Sequence, residues 1–324
     1  MGKSCKLKTV FFGTPDFAVE SLKCLQESRH EILAVVTAPD KPAGRGKKIR
    51  FSPVKSFALE NGIEVLQPTR LKDENFISQL RNYGADLFTV VAFRMLPEVV
   101  WNMPPLGTVN VHASLLPQFR GAAPISHAIM DGESETGVTT FKLQHAIDTG
   151  HILMQDKILI NPDDNAGSLH DKLMVAGGQL LVKTLTGLAN GDVQEHPQVL
   201  FTKDGPILKT APKLNKENIR IDWTGHARQI HDFIRGLSPY PGAYTFLKAP
   251  GSGEEKKIII YESEPLGNQS TGLPGSLAQI KKRLIVNTGK GQLEILKLKP
   301  EGKKLLKASD YLNGAQLTEL HVLK

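Results

Sequence analysis

The chain of 324 residues is poor in cysteine and in long apolar runs. Its two cysteines, Cys5 and Cys24, are too few for a disulfide framework, and neither has a second Cys or a His at metal-ligand spacing. No apolar run approaches the ~20 residues of a membrane-spanning helix, and no apolar signal segment precedes the first strand-like run. We therefore expect a soluble, reduced, cytoplasmic protein with no membrane partner and no metal.

Glycine-rich loops that bind nucleotide phosphates are also missing. The first strand-to-helix turn, Phe12-Gly13-Thr14-Pro15, supplies one glycine, so the G-x-G-x-x-G dinucleotide fingerprint is absent. No G-x-x-x-x-G-K-[ST] loop occurs anywhere in the chain. These two absences argue against nicotinamide and nucleotide chemistry.

Short apolar runs alternate with helical patterns in the N-terminal part. Strands are predicted at 8–12, 32–37, 64–66, 86–93, 108–112, 138–143 and 152–160. Helical patterns separate most of them, and a long helix is predicted from about 168 to 188. Because alternating strands and helices form parallel sheets, we predict an α/β domain over residues 1–191, with a Rossmann-like, doubly wound, mostly parallel sheet.

The pattern changes after Gly191. Residues 192–215 keep no regular period and contain three prolines, which predicts an interdomain linker. A helix is then predicted at 225–237, followed by short strands between Gly and Pro turns. Such strands are typical of small barrels, so residues 216–324 are predicted to form an OB-like β-barrel domain.

The net charge of +7 is unevenly distributed. From Ile207 to the C-terminus, 19 Lys and Arg face 11 Asp and Glu, whereas the rest of the chain carries 21 against 22. A basic module on a near-neutral body predicts a polyanionic partner, because phosphate contacts supply most of the non-specific affinity for nucleic acids. A lysine-rich solvated surface is the alternative interpretation.

A second basic cluster follows the strand predicted at 32–37. The segment KPAGRGKKIR, residues 41–50, contains Arg45, Lys47 and Lys48 among two glycines. A basic loop of this kind is able to contact a phosphate backbone, and a solvated surface loop is the alternative.

The most informative stretch is GTVNVHASLLPQFRGAAP, residues 107–124. Side chains alternate along a strand, so Asn110 and His112 point to one face while the valines between and before them point to the other. An amide donor beside an imidazole at a strand end suits an oxyanion coupled to proton transfer, as acyl transfer requires. The alternative is a core histidine that is hydrogen-bonded to its neighbour.

Asp148 opens the turn Asp148-Thr149-Gly150, which follows the strand predicted at 138–143. Aspartate is common in such turns for purely structural reasons. If the turn lies near His112, however, the carboxylate is able to fix the orientation of the imidazole ring.

Taken together, these stretches resemble the formyltransferase family, and within it the methionyl-tRNA formyltransferases. The likeness lies in FFGTPDFA (11–18), PAGRGKK (42–48), NVHASLLPQFRGAAPI (110–125), Asp148-Thr149-Gly150 and WTGHARQIHDFIRGLSPYPGAY (223–244). It covers nearly the whole chain, and the motif N-x-H-x-S-L-L-P-x-x-R-G is highly specific.

The resemblance implies transfer of a formyl group from 10-formyltetrahydrofolate, a co-substrate, to the amino group of initiator methionyl-tRNA. It implies three sets of site residues: catalytic Asn110, His112 and Asp148; folate-binding Ser114, Leu115, Leu116 and Pro117; and tRNA-binding Arg45, Lys47 and Lys48. No metal is implied, and we expect the chain to act as a monomer. Arg94 departs from the family pattern on the pterin side of the folate pocket, where a glycine is usual.

Other interpretations share part of this evidence. Formyltransferases that act on a glycinamide ribonucleotide or an amino sugar, and formyltetrahydrofolate hydrolases, use the same catalytic trio. The basic C-terminal part and the basic loop favour an RNA acceptor over those substrates. A non-catalytic RNA-binding protein would explain the charge but would leave Asn110, His112 and Asp148 unexplained.

Overall fold

A computed structural model describes residues 6–43, 48–202, 207–248, 251, 255–267, 269–280, 282–314, 317 and 321–324. The chain divides into two compact units, each drawn from three stretches. The first unit comprises Met1–Gly121, Glu135–Leu159 and His170–Thr210. The second unit comprises Ala122–Ser134, Ile160–Leu169 and Ala211–Lys324. None of the helices in the described part of the chain combines the length and the apolar character of a membrane span.

The strands before residue 165 are β1 (Lys8–Gly13), β2 (Glu31–Val36), β3 (Lys41–Ala43), β4 (Lys48–Arg50), β5 (Val65–Leu66), β6 (Leu87–Val91), β7 (Thr108–His112), β8 (Arg120–Gly121), β9 (Glu135–Lys142) and β10 (Ile152–Leu159). The helices up to residue 190 are α1 (Asp16–Gln26), α2 (Pro53–Glu60), α3 (Glu74–Asn82), α4 (Glu98–Trp101), α5 (Pro124–Met130) and α6 (Ala166–Asn190). The later elements are a 3-10 helix (Gln198–Phe201), β11 (Thr210–Ala211), α7 (Ala227–Gly236), β12 (Ala243–Lys248), β13 (Glu255–Leu266), β14 (Leu277–Ile280), β15 (Arg283–Asn287), β16 (Gln292–Pro300), β17 (Leu306–Lys307), α8 (Ala308–Gly314) and β18 (Val322–Leu323).

The first unit is built on a seven-stranded sheet of order β10-β9-β7-β6-β1-β2-β5. Five neighbouring strands run parallel. At one edge β9 pairs antiparallel with β7, and β10 pairs antiparallel with β9. All five residues of β6 are buried, as a central parallel strand covered on both faces requires. The predicted Rossmann-like, mostly parallel sheet is confirmed.

Aromatic side chains from two adjacent strands form the centre of one core of this unit. Phe12 of β1 and Phe88 of β6 lie 5.3 Å apart between ring centroids, and both belong to a buried cluster that includes Phe76 and Leu80 of α3. Because β1, β6 and β7 are parallel, their carboxyl ends meet at one edge of the sheet, where ligands bind in such folds.

The second unit contains an antiparallel sheet of order β14-β15-β16-β13-β12-β18. The sheet nearly closes on itself, because Ser276, just before β14, forms a bridge with Val322 of β18. Its apolar interior includes Trp223, whose indole nitrogen donates to Thr245 Oγ1 at 3.0 Å. The predicted small C-terminal β-barrel is confirmed.

A buried ion pair holds α7 in the second unit. Arg235 Nε donates to Asp232 Oδ1 at 2.7 Å, and Arg235 Nη1 donates to the carbonyl oxygen of Asp164 at 2.7 Å. Both charged side chains of the pair are buried. Asp232 therefore neutralises a guanidinium that also joins the 160–169 stretch to α7.

We expect the substitution Asp232→Ala to lower the free energy of unfolding of the second unit by about 3–5 kcal/mol, because it leaves the Arg235 charge buried without a counter-ion. Urea unfolding followed by Trp223 fluorescence in a Trp101→Phe background measures this loss. The control is Asp163, an exposed residue next to Asp164 in sequence. Asp163→Ala should change the free energy of unfolding by no more than ~0.5 kcal/mol. A loss below ~1 kcal/mol for Asp232→Ala would contradict the expectation.

Candidate active site

Strand β7 presents two chemically different faces at its carboxyl end. Val109 and Val111 are buried on one face, and a Cβ on Gly177 of α6 would lie 3.1 Å from Val111 Cγ1. Asn110 is half-buried and His112 is 7% exposed, and by strand alternation they share the other face. The apolar face anchors the strand against α6 and leaves the amide and the imidazole to the opposite side.

Two oxygen atoms lie against the ring nitrogens of His112. Nε2 lies 2.9 Å from the carbonyl oxygen of Phe119, so this nitrogen carries a proton and donates it to that oxygen. Nδ1 lies 3.8 Å from Asp148 Oδ2. The ring also meets Phe141 edge-on, with centroids 6.5 Å apart. Since Nε2 donates to the backbone, Nδ1 is the ring nitrogen that faces the carboxylate.

The turn that carries Asp148 is conformationally unusual. Asp148 has a φ of 54°, in the left-handed region that aspartate tolerates better than most residues, and its Oδ2 accepts a hydrogen bond from Gly121 N at 3.0 Å. A Cβ on residue 150 would overlap the Lys142 carbonyl oxygen, so the turn requires Gly150. These constraints direct the carboxylate toward His112.

Left-handed backbone recurs at this edge of the sheet. In the described part of the chain, the non-glycine residues with positive φ are Ala92 (46°), Phe119 (58°) and Asp148. Ala92 directly follows β6, whose last residue pairs with β7, and Phe119 supplies the carbonyl that contacts His112. Such conformations cost of order 1–3 kcal/mol each and cluster where a site demands a particular geometry.

Arg120 and Gln198 complete the surroundings of this turn. Arg120 donates through Nε at 3.0 Å and through Nη2 at 2.6 Å to Gln198 Oε1. Gln198 Nε2 donates to the carbonyl oxygens of Asp148 at 2.9 Å and Gly150 at 2.8 Å. Burial lowers the pKa of the Arg120 guanidinium, an effect that the nearby Asp148 carboxylate partly offsets. No sequence pattern identifies Gln198, which lies in the segment predicted to be a linker.

The residues expected to bind folate lie in the loop after β7. Leu115, Leu116 and Pro117 line a cleft of about 500 Å³ together with Gln118, Gln155, Asp156, Lys157 and Phe201. Its size and its mixed apolar and polar walls fit a drug-sized ligand with flat rings that carry polar edges, such as a folate. Ser114 differs, since its fully buried hydroxyl donates to the Gln118 carbonyl at 2.7 Å and shapes the loop instead of lining the cleft.

The remaining residues singled out by the sequence lie elsewhere. Arg94 donates to the carbonyl oxygens of Pro68 and Thr69, so its charge is used on a neighbouring loop. Arg45 and Lys47 lie outside the described residues, and for Lys48 only the backbone, in β4, is described. Among the described residues, no group of three or more His, Cys, Asp or Glu is arranged to hold a metal ion.

Family models match both parts of the chain. The model described as "Formyl transferase" matches residues 7–185, and that described as "Formyl transferase, C-terminal domain" matches residues 213–316. The chain belongs to the formyl transferase family.

Within this family, the chain groups with the methionyl-tRNA formyltransferases. The protein of that name from Bacteroides fragilis is 50% identical over 319 residues, which is 98% of each chain. Those from Bacteroides thetaiotaomicron (49% over 314 residues, 97% of each chain) and Flavobacterium johnsoniae (47% over 314 residues, 97% of this chain and 98% of the relative) are nearly as similar.

Solved structures of other proteins share the fold. The sugar 3N-formyl transferase WlaRD has a TM-score of 0.63 at 19% identity, covering 93% of this chain and all of that chain. HypX from Aquifex aeolicus, in complex with tetrahydrofolic acid, has a TM-score of 0.61 at 19% identity and covers 95% of this chain. This chain spans about half of HypX, 47% of its length. At these identities the likeness supports the fold alone.

Proposed function

We propose that the chain transfers a formyl group from 10-formyltetrahydrofolate to the free amino group of initiator methionyl-tRNA, producing N-formylmethionyl-tRNA for translation initiation. The observation that carries this proposal is its 50% identity, over 98% of both chains, to a protein named methionyl-tRNA formyltransferase. The pairing of His112 with Asp148 at the carboxyl end of β7 supports the chemistry.

The reaction is proposed to be a direct attack without a covalent enzyme intermediate. The neutral amine of the methionyl group forms a bond to the formyl carbon, and the formyl oxygen gains negative charge in the tetrahedral intermediate. Collapse of this intermediate breaks the bond between the formyl carbon and the folate nitrogen. The leaving nitrogen takes up a proton equivalent to the one that the amine loses.

Three side chains are proposed to serve these steps. The Asn110 amide donates a hydrogen bond to the developing oxyanion, an interaction that typically contributes ~3 kcal/mol. His112 contributes through Nδ1, because Nε2 donates to the Phe119 carbonyl. Asp148 orients the imidazole and orders the water that carries the proton between the two nitrogens.

The binding of the two substrates is proposed to use separate parts of the chain. Leu115, Leu116 and Pro117 form one wall of the folate site, and Ser114 holds the loop that carries them. The size of the cleft beside this loop supports the role. Arg45, Lys47 and Lys48, with the basic C-terminal part, contact the tRNA. In sequence, we propose a catalytic domain at 1–191, a linker at 192–215 and a tRNA-side domain at 216–324, in line with the family matches at 7–185 and 213–316.

Consumption of 10-formyltetrahydrofolate, measured with and without charged methionyl-tRNA, tests the function. Turnover that requires methionyl-tRNA and releases formylmethionyl-tRNA is expected. Turnover without tRNA would indicate a hydrolase, and turnover only with an amino sugar or a glycinamide ribonucleotide would indicate another acceptor. Absence of turnover with every acceptor would favour a non-catalytic RNA-binding protein. We further propose that the enzyme is a cytoplasmic monomer. Light scattering of the purified chain tests its oligomeric state.

A further inference from the structure

The stretch that follows α6 is tied to the catalytic loops of the first unit. His196 exchanges two backbone hydrogen bonds of 2.9 Å with Ile152, at the start of β10. The Phe119 N–H donates to the Lys209 carbonyl at 2.8 Å, and Lys209 N–H donates to Gln118 Oε1 at 2.8 Å. Between these two attachments lies Gln198, 3% exposed, so its side chain is fixed inside the unit.

The amide of Gln198 uses its hydrogen-bonding capacity in full. Its oxygen accepts two bonds from Arg120, and its nitrogen donates two bonds, to the carbonyls of Asp148 and Gly150. The opposite placement of the amide oxygen and nitrogen would set N–H groups against the guanidinium and an oxygen against two carbonyls. The surroundings therefore define one orientation of this side chain.

The two accepting carbonyls lie on either side of Thr149. Gln198 thereby holds the backbone of the turn at two points, and the Gly121 N–H holds the carboxylate of Asp148 at a third. The backbone of Asp148 adopts the left-handed conformation, which needs such support. The direction of the carboxylate toward His112 depends on these contacts.

We propose that Gln198 is a positioning residue for formyl transfer, which holds the Asp148 carboxylate against His112 through the backbone of the turn and links that turn to Arg120. The proposal rests on the proposed function, because it gives Asp148 a part in the reaction. The hydrogen bonds of the Gln198 side chain go to Arg120 and to two backbone carbonyls, not to the His112 imidazole or the Asp148 carboxylate.

The variants Gln198→Met and Gln198→Glu test this role in the full-length chain. Methionine keeps the length but removes all four hydrogen bonds, whereas glutamate keeps an acceptor for Arg120 and removes the two donated bonds. Both should lower kcat by roughly 10–100-fold, because small displacements of a catalytic group have effects of this size. The KM values for methionyl-tRNA and for the folate donor should stay within about 3-fold, since no substrate contact is removed.

The matched control is Gln194→Met, at an exposed glutamine four residues earlier, which should leave kcat unchanged. If Gln198→Met does not fold, Gln198→Glu still tests the proposal, since the carboxylate is able to pair with the half-buried guanidinium of Arg120. A folded variant of either kind with kcat within about 2-fold of the parent would overturn the positioning role.

A double-mutant cycle separates this proposal from the proposed function. In an Asp148→Ala background, Gln198→Met should lower kcat by less than about 2-fold more, because Gln198 acts through Asp148. If Gln198→Met lowered kcat in the Asp148→Ala background by as much as it does in the parent chain, the positioning role would be overturned, while Asp148 would remain catalytic. A near-normal kcat in Asp148→Ala alone would instead overturn the catalytic part of the proposed function, and the positioning role with it.

Discussion

Replacing His112 by alanine should lower kcat for formyl transfer at least ~100-fold while leaving the affinity for tRNA nearly unchanged. The imidazole is buried at the carboxyl end of β7, with one nitrogen held by the Phe119 carbonyl and the other facing Asp148. Its removal takes away a group that interacts with the transition state and leaves the surface that binds the tRNA intact. Single-turnover formylation with saturating methionyl-tRNA, together with tRNA binding by the same variant, measures the two effects separately.

Asp148→Asn distinguishes the charge of the carboxylate from its shape. The asparagine keeps an oxygen that is able to accept from the Gly121 N–H, and it tolerates the left-handed backbone, so the turn should persist. The loss of negative charge beside Nδ1 should still lower kcat by at least ~100-fold, the decrease that we also expect for Asp148→Ala. The exposed His226 of the second unit provides the control, and His226→Ala should leave kcat unchanged. A near-normal rate in His112→Ala would mean that His112 is a core histidine satisfied by Phe119.

The local part of this site could be predicted from the sequence. The two-residue alternation of β7 assigns Asn110 and His112 to the same face, and the unbroken apolar run of β6 marks a central strand. The antiparallel pairing of β9 with β7 and with β10 could not be predicted in this way, because strand periodicity is the same in both directions. The side on which Asp148 approaches His112 therefore required the structure.

Interactions between distant residues account for what the sequence did not predict. The side chain of Gln198 is hydrogen-bonded to Arg120, 78 residues away in sequence, and to the carbonyl of Asp148, 50 residues away. Gln198 lies in a stretch of the sequence without regular periodicity. This polar side chain finds its partners only after the chain has folded, and neither composition nor spacing identifies them.

A variant of the second unit that carries less positive charge should bind tRNA less tightly and with a weaker salt dependence. Four exposed lysines lie on β16, on β17 and in the turn between these strands: Lys299, Lys303, Lys304 and Lys307. Glu301 is the one acidic residue among them. Lysines that neutralise phosphates release counterions on binding. Replacing all four by glutamine should therefore reduce the slope of log K against log salt concentration by roughly 0.7–0.9 for each phosphate that is no longer neutralised. Titration of tRNA binding from low to high salt measures the slope.

The matched control replaces the same four lysines by arginine, which keeps the charge and should keep the slope. A parallel variant in which Arg45, Lys47 and Lys48 are replaced by glutamine should show the same kind of effect on the slope and a raised KM for methionyl-tRNA. The KM for the folate donor should stay nearly constant in both glutamine variants, because other residues line the cleft beside Leu115 to Pro117. If affinity and slope were unchanged in both variants, the basic charge would be a solvated surface, and an amino-sugar or ribonucleotide acceptor would become the better assignment.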